Sequence, residues 1–195
     1  MLSIKVMSPR DFKYAVTLTD TMNWNMTDDD FSFMIALEPQ GCFILYSDLK
    51  PIGLATTITF DHVGWVGNVI VDNRYRRQGA GSLLVQHALQ YLDTQGVKTV
   101  YIYAYPSKQS FYQRLGFHTE STFIVLHGSP DILPQTSVTI IPATETHHSS
   151  IIAFDYDCLG YSRRKLLSSL LSLSSTRCYI ALMNDSLQGY AILKD

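Results

Sequence analysis

The spacing of apolar and polar residues predicts strands and helices in alternation along the first part of the chain. Short apolar runs rich in β-branched and aromatic residues predict strands at residues 4–7, 43–46, 52–60, 65–71 and 97–104. Ser8 before Pro9, and Thr27 three positions before Asp30, are typical of helix starts. Residues 83–92 carry a helical pattern. This order predicts an α/β (α+β) fold, in which a mixed sheet has helices on both faces.

The same pattern begins again after a segment with two prolines and a glycine at residues 128–134, which predicts a linker. Residues 140–144, 177–181 and 189–191 align without gaps with residues 4–8, 41–45 and 53–55, all at an offset of 136 positions. The alternative is that any two strand–helix–helix–strand–strand segments look alike. We expect a first domain at residues 1–127, a linker at 128–136 and a partial second copy of the same fold at 137–195.

The second copy contains no glycine loop, so we expect one phosphate site in the chain. An incomplete copy also leaves a sheet edge exposed, and a partner could cover that edge. A homodimer is a candidate for that arrangement.

The composition favours a folded protein that does not bind nucleic acids in general. A hydrophobic content of 46% and a charged content of 16% argue against a disordered chain. The net charge of −2 argues against general nucleic-acid binding. No apolar run reaches membrane-spanning length and the N-terminus lacks a signal pattern, so we expect a cytoplasmic protein with no membrane partner. The three cysteines form no Cys-x-x-Cys pair, and His147 and His148 lack metal-ligand spacing, so we expect no metal.

One basic turn with two glycines is typical of a phosphate site. The predicted strand ending at Val71 leads through Arg76 and Arg77 to Gly79 and Gly81, where a helix begins. The first N–H groups of a helix lack intrahelical partners, and the helix dipole favours an anion there. A Walker loop and a dinucleotide-binding loop both need residues that are missing here. The alternative is a basic turn before an amphipathic helix.

The spacing of Arg76, Gly79 and Gly81 resembles the acyl-CoA pyrophosphate loop of the GNAT superfamily of N-acyltransferases. About thirty residues later, Phe111-Tyr112 ahead of Leu115-Gly116-Phe117 resembles the family's second signature. The alternative for this second motif is a helix ended by Gly116, with Phe117 starting a strand. Residues 22–117 are similar to the GNAT branch that carries a second GNAT-like domain.

The resemblance implies a mixed, mostly antiparallel sheet flanked by helices. It also implies acetyl-CoA as co-substrate and direct acetyl transfer to a primary amine, for which we expect a small molecule. The alternative is a non-catalytic GNAT-fold module that senses CoA or binds a partner.

The resemblance also assigns roles to individual residues. It places acetyl-CoA on a strand edge and on the backbone N–H groups of the loop, at Val69, Ile70, Val71, Arg76, Arg77, Gln78, Gly79, Ala80, Gly81 and Ser82. Tyr112 matches the family's general acid, with a packing tyrosine as the alternative. Trp24 and Asn25 lie where the family builds its acceptor pocket. The general base stays open between Asp61, His62 and a water relayed through Asn68.

Overall fold

The computed structural model describes residues 1–124 and 138–194. The chain divides into two compact units, Met1–Thr119 and Glu120–Asp195. The linker predicted at residues 128–136 lies outside the described residues, so the predicted domain bounds stay a prediction. In the described part of the chain, no helix is both long and apolar enough to cross a membrane.

The first unit is a five-stranded sheet with helices on both faces. Its strands are β1 (Leu2–Val6), β2 (Cys42–Ser47), β3 (Lys50–Phe60), β4 (Val63–Val71) and β5 (Thr99–Ile102). Its helices are α1 (Phe12–Asp20), α2 (Asp28–Leu37), α3 (Ala80–Thr94) and α4 (Gln109–Gln113). The strand order is β1-β2-β3-β4-β5, and only the β4–β5 pair is parallel. The mixed, mostly antiparallel sheet expected from the sequence is confirmed.

Two apolar clusters hold the helices to this sheet. On one face, α3 buries a stripe of residues four apart against strand residues such as Phe43 and Leu45; the stripe is Ala80, Leu84, Ala88 and Leu92. On the other face, α1 and α2 pack around the fully buried Phe31 and strand residues such as Ile44. Burial of the sheet on both faces fixes the strands that carry the loop between β4 and α3.

The predicted helix starts are present. Thr27 and Asp30 form a reciprocal capping box at α2, in which Thr27 N–H donates to Asp30 Oδ2 at 2.8 Å. Ser8 and Asp11 form the same box, but the first turn, Pro9–Asp11, is a 3-10 helix. Gly116 is left-handed (φ 94°), in keeping with its expected place just after α4. The strand proposed to start at Phe117 is absent from described residues 117–124.

The second unit repeats the first five elements of the first unit. Its strands are β6 (Thr139–Pro142), β7 (Thr176–Met183) and β8 (Ser186–Lys194), which form an antiparallel sheet in the order β6-β7-β8. Its helices are α5 (His148–Leu159) and α6 (Arg164–Leu171). The pairing of Ala181 with Gly189 repeats that of Leu45 with Gly53, and both sheets shift register directly after this pair. The offset of 136 positions therefore extends from sequence to strand register.

A buried ion pair lies in the second unit, between α5 and α6. Arg163 donates to both carboxylate oxygens of Asp155, and the Tyr190 hydroxyl donates to Asp155 Oδ1 at 2.5 Å. Asp155 is 3% exposed. Burial alone raises the pKa of this carboxyl, but the hydrogen bonds from Arg163 and Tyr190 outweigh burial and hold it below its ordinary value.

Candidate functional site

The loop between β4 and α3 presents unpaired backbone donors at one place. Arg77 (φ 60°) and Gly79 (φ 83°) are both left-handed, so the backbone reverses twice immediately before the helix. The first hydrogen bond of α3 is from Leu83 N to Gly79 O at 3.0 Å. The N–H groups of Ala80, Gly81 and Ser82 therefore have no partner within the helix. Successive backbone N–H groups in such conformations form a concave anion-binding nest.

The three arginines of this loop have different roles. Arg74 pairs with Asp72 at 2.6 Å, and its hydrogen bond lowers the pKa of Asp72 to about 2. Arg76 donates from Nε to the carbonyl oxygen of Val71 at 2.7 Å, which ties the loop to the end of β4. Arg77 is exposed. The sequence interpretation placed Arg76 and Arg77 together beside the ligand, whereas the structure gives Arg76 a backbone partner.

Beside this loop, β4 separates from its parallel neighbour. The two strands pair only from Val63 opposite Thr99 to Val66 opposite Ile102. Among the described residues, the second half of β4, which contains Val69, Ile70 and Val71, has a strand partner on the β3 side only. This free edge lies where the resemblance places the pantetheine arm.

A bulge in β4 lies at the separation point. The β3–β4 register shifts between Thr56–Gly67 and Leu54–Ile70, and Asn68 within this stretch is left-handed (φ 50°). The Asn68 side-chain amide donates to Thr56 Oγ1 at 3.0 Å. The bulge redirects the strand at the position that separates its paired half from its free half.

The second sequence motif contacts the first. A Cβ atom added at Gly81 would lie 3.4 Å from Cζ of Phe111, so the absence of a side chain at Gly81 lets the Phe111 ring pack on the start of α3. Tyr112 follows on α4 and makes edge-to-face contacts with Phe111 and Phe117 at centroid distances of 4.8 and 5.8 Å. The structure therefore packs Phe111, the residue before Tyr112, on the loop.

Burial raises the pKa of Tyr112 to about 12. Its hydroxyl is consequently protonated at neutral pH and can donate a hydrogen bond or a proton.

The α1–α2 loop reaches the same region from the other side. The indole Nε1 of Trp24 donates to the Tyr105 hydroxyl at 3.1 Å, and Tyr105 lies in the loop between β5 and α4. Asn23 and Asn25 are both left-handed, at φ 56° and 50°, so the loop turns sharply on each side of Trp24. Asn25 is exposed, and Trp24 is half-buried against the apolar cluster of α1 and α2.

Sequence interpretation missed an aromatic row formed by residues of β4 and of β5 with its following loop. Trp65 on β4 packs against Tyr101 and Tyr103, with ring centroids 5.3 and 4.7 Å apart. Tyr103 is 64% exposed although it is a large aromatic residue. The aromatic alternation in residues 101–105 was the available signal, but the pairing of β5 with β4 was needed to show which rings meet.

The candidates for the general base lie at different places along β4. Asp61 and His62 form the turn between β3 and β4, at the end of β4 far from the phosphate loop. The His62 carbonyl oxygen accepts hydrogen bonds from the N–H groups of Lys98 and Thr99, a structural role. Asn68 lies at the bulge instead. Asn68 therefore lies nearer to the phosphate loop along β4 than the two turn residues do, and the general base stays a prediction.

Comparison with known proteins identifies the family of the chain. Residues 10–117 match the acetyltransferase (GNAT) family. A presumed acetyltransferase of Bacillus subtilis is 26% identical over 90 residues; the match covers 46% of this chain and 61% of that protein, less than two thirds of its length.

Solved structures agree at the level of the fold. A presumed acetyltransferase from Pyrococcus horikoshii has a TM-score of 0.70 and 16% identity, and the match covers 95% of this chain and 69% of that one. Glucosamine-6-phosphate N-acetyltransferase from Arabidopsis thaliana has a TM-score of 0.56 and 14% identity, and the match covers 66% of this chain and 99% of that one.

Proposed function

Because this chain belongs to the GNAT family of acetyltransferases, we propose that it transfers an acetyl group from acetyl-CoA directly to the primary amine of a small molecule. One arrangement carries the proposal. The left-handed loop at the start of α3 adjoins the free edge of β4, and the helix bearing Tyr112 packs on Gly81 of that loop. Phosphate donors and an edge for an extended amide chain therefore adjoin the helix that carries the proposed proton donor.

The loop fits the diphosphate of acetyl-CoA. Gly79 is left-handed, and nothing lies within 4 Å of a Cβ atom added there, so the backbone is open to a ligand. We assign the diphosphate to the backbone N–H groups of residues 76–82, with the exposed Arg77 guanidinium as a further donor. Val69, Ile70 and Val71 offer strand-edge groups that suit the amides of the pantetheine arm. When bound, acetyl-CoA supplies the thioester from which the acetyl group is taken.

We assign to Tyr112 the role of donating a proton to the leaving sulfur. In the reaction a C–N bond forms between the neutral amine and the acetyl carbon while the C–S bond breaks. The Tyr112 hydroxyl, which is protonated at neutral pH, donates its proton to the departing sulfur. The amine gives up its own proton to water, which we assign to the bulge at Asn68.

Trp24, Asn25 and Tyr105 are assigned to the acceptor. The hydrogen bond between Trp24 and Tyr105 joins the two loops that face each other there, so their positions depend on one another. A small amine is supported by the likeness in fold to a glucosamine-6-phosphate N-acetyltransferase. The exposed rings of Tyr103 and Tyr105 favour an acceptor with an apolar or cationic portion.

Calorimetric titration of the chain with acetyl-CoA, followed by assay of a panel of amines for thiol release, tests the proposal. We expect saturable binding and turnover of at least one primary amine. Absence of binding would overturn the proposal. Binding without turnover of any amine would favour the non-catalytic CoA-sensing module instead.

A further inference from the structure

The side-chain amide of Asn68, at the bulge in β4, makes two hydrogen bonds through its nitrogen. Nδ2 donates to Thr56 Oγ1 at 3.0 Å and to Met34 Sδ at 3.3 Å. A thioether sulfur carries no hydrogen and can only accept, so the amide atom that faces Met34 is the nitrogen and not the oxygen. Both amide hydrogens are therefore used within the protein, and the orientation of the carboxamide is fixed.

The oxygen of the same amide is an open acceptor. Within the described residues, no side chain or backbone group donates a hydrogen bond to Asn68 Oδ1. The Tyr14 hydroxyl oxygen is the one buried side-chain polar atom without a partner in the described part of the chain. Asn68 is half-buried, so its unpartnered Oδ1 is not sealed in the interior. The fixed carboxamide thus presents an acceptor that an N–H group of a ligand can reach.

The bulge carries this amide to the side of the sheet where the acceptor is assigned. Val66 is buried in the cluster beneath α3, and strict alternation would place position 68 on that face as well. The bulge and the left-handed backbone of Asn68 instead bring its amide to Met34 of α2. Met34 packs in the same apolar cluster as Trp24. Asn68 Oδ1 therefore opens on the α2 side, where β4 begins its free half.

We propose that Asn68 Oδ1 accepts a hydrogen bond from the attacking amine and orients it, a role that rests on the acetyl transfer proposed above. A primary amine has one lone pair and two N–H hydrogens. When Oδ1 holds one hydrogen, the lone pair can point at the acetyl carbon. The second hydrogen leaves as a proton with water while the C–N bond forms and the C–S bond breaks. An amide oxygen takes up no proton at neutral pH, so Asn68 orients the amine and is not the base.

This arrangement selects primary over secondary amines. A secondary amine has a single N–H hydrogen, which cannot stay on Oδ1 and leave with water as well. Thr56 is a positioning residue, because its hydroxyl oxygen holds one amide hydrogen of Asn68 and it is only 6% exposed. Selectivity for a primary amine therefore depends on both residues.

Asn68→Gly tests the role of the amide, and Asn184→Gly is its matched control. Both asparagines are left-handed, at φ 50° and 51°, and glycine adopts these angles without strain. Rates at saturating acetyl-CoA are measured with the best substrate of an amine panel that includes butylamine and phenylethylamine, and with the N-methyl derivative of that substrate. We expect Asn68→Gly to lower kcat/KM about tenfold for the primary amine and less for the N-methyl derivative. Asn184→Gly should change neither rate, and acetyl-CoA affinity by calorimetry should be unchanged in both variants.

The ratio of the two rates separates orientation of the amine from a structural effect. A distorted site slows both amines alike, so equal losses for the two amines in Asn68→Gly would overturn the proposed role. An unchanged kcat/KM for the primary amine would overturn it as well, and acetyl transfer itself would stand. A wild-type chain that turned over no amine of the panel would overturn the proposed function together with this role.

Thr56→Val and Thr56→Ser test the positioning of the amide. Valine keeps the shape of threonine but lacks the hydroxyl, whereas serine keeps the hydroxyl. We expect Thr56→Val to lower the preference for the primary amine as Asn68→Gly does, and Thr56→Ser to retain the wild-type preference. Thermal unfolding of both variants shows whether they fold. An unchanged preference in a folded Thr56→Val chain would contradict the role of Thr56.

Discussion

Trp24 and Tyr105 are joined by a hydrogen bond of 3.1 Å from the indole Nε1 to the phenol oxygen, although 81 positions separate them in the chain. The bond connects the α1–α2 loop with the loop that precedes α4 and Tyr112. Two loops that would otherwise move separately thus share one contact at the proposed acceptor side.

Replacing Trp24 with Phe tests this connection. Loss of the indole donor removes a hydrogen bond worth about 0.5–1.5 kcal/mol, so we expect the KM for the amine to rise up to about tenfold with little change in kcat. Steady-state kinetics at saturating acetyl-CoA measures both the KM for the amine and kcat. Tyr105→Phe should have a similar effect, and the double variant should be no worse than either single one. Additive losses would mean that the two residues act separately.

Replacing Tyr112 with Phe removes the proposed proton donor while keeping the ring contacts with Phe111 and Phe117. We expect kcat to fall by about 10²–10⁴-fold and acetyl-CoA affinity to stay unchanged, as measured by stopped-flow kinetics and calorimetry. Because burial raises the pKa of Tyr112 to about 12, its ionisation should not limit the wild-type rate below about pH 10. An unchanged kcat would assign Tyr112 to packing alone.

Gly79→Ala has a matched control at Gly96→Ala. Both glycines are left-handed, at φ 83° and 79°, and nothing lies within 4 Å of a Cβ atom added at either. We expect each variant to lose about 1–2 kcal/mol of unfolding free energy through backbone strain. Only Gly79→Ala should also weaken acetyl-CoA binding, because Gly96 lies at the other end of α3. Equal affinities in the two variants would contradict the assignment of the diphosphate to this loop.

Asp155→Asn tests the ion pair of the second unit. The variant leaves Arg163 half-buried without its carboxylate, and we expect a loss of about 1–3 kcal/mol in chemical denaturation. The pKa of Asp155 is lowered in the folded state, so the wild-type contribution is present above the unfolded pKa near 4 and disappears as pH falls below it. The difference between variant and wild type should therefore shrink as the pH falls from about 4 through the lower pKa of the folded state. A constant difference would mean that the charge is not responsible.

Short-range chemistry could be predicted from the sequence. The capping box of Thr27 and Asp30, and the left-handed Gly116, depend on residues within a few positions of one another. The repeat was also visible, because a gapless offset needs only comparison of the chain with itself. The alternative interpretation, in which a strand begins at Phe117, was wrong for the described residues 117–124: a glycine that ends a helix shows that the chain turns, and not what the chain forms next.

Long-range features needed the structure. No local pattern indicates that Trp24 meets Tyr105, or that Phe111 packs on Gly81, because these contacts depend on how β4 and β5 pair. The left-handed Arg77 and the bulge at Asn68 were also unpredicted, since non-glycine residues adopt such backbone angles only where neighbouring structure holds them. The motifs indicated where to propose the site, but the contacts between its two sides could not be predicted from them.

Because of the gapless repeat, the local stability of two related sheets can be compared within one chain. The same five elements occur once with a fourth strand and its helix, and once without them in the described residues. Hydrogen exchange at paired positions such as Leu45 and Ala181 would measure how much a crossover unit adds to the local opening energy of a sheet. A single molecule could thus report on the step by which a three-stranded sheet becomes a larger one.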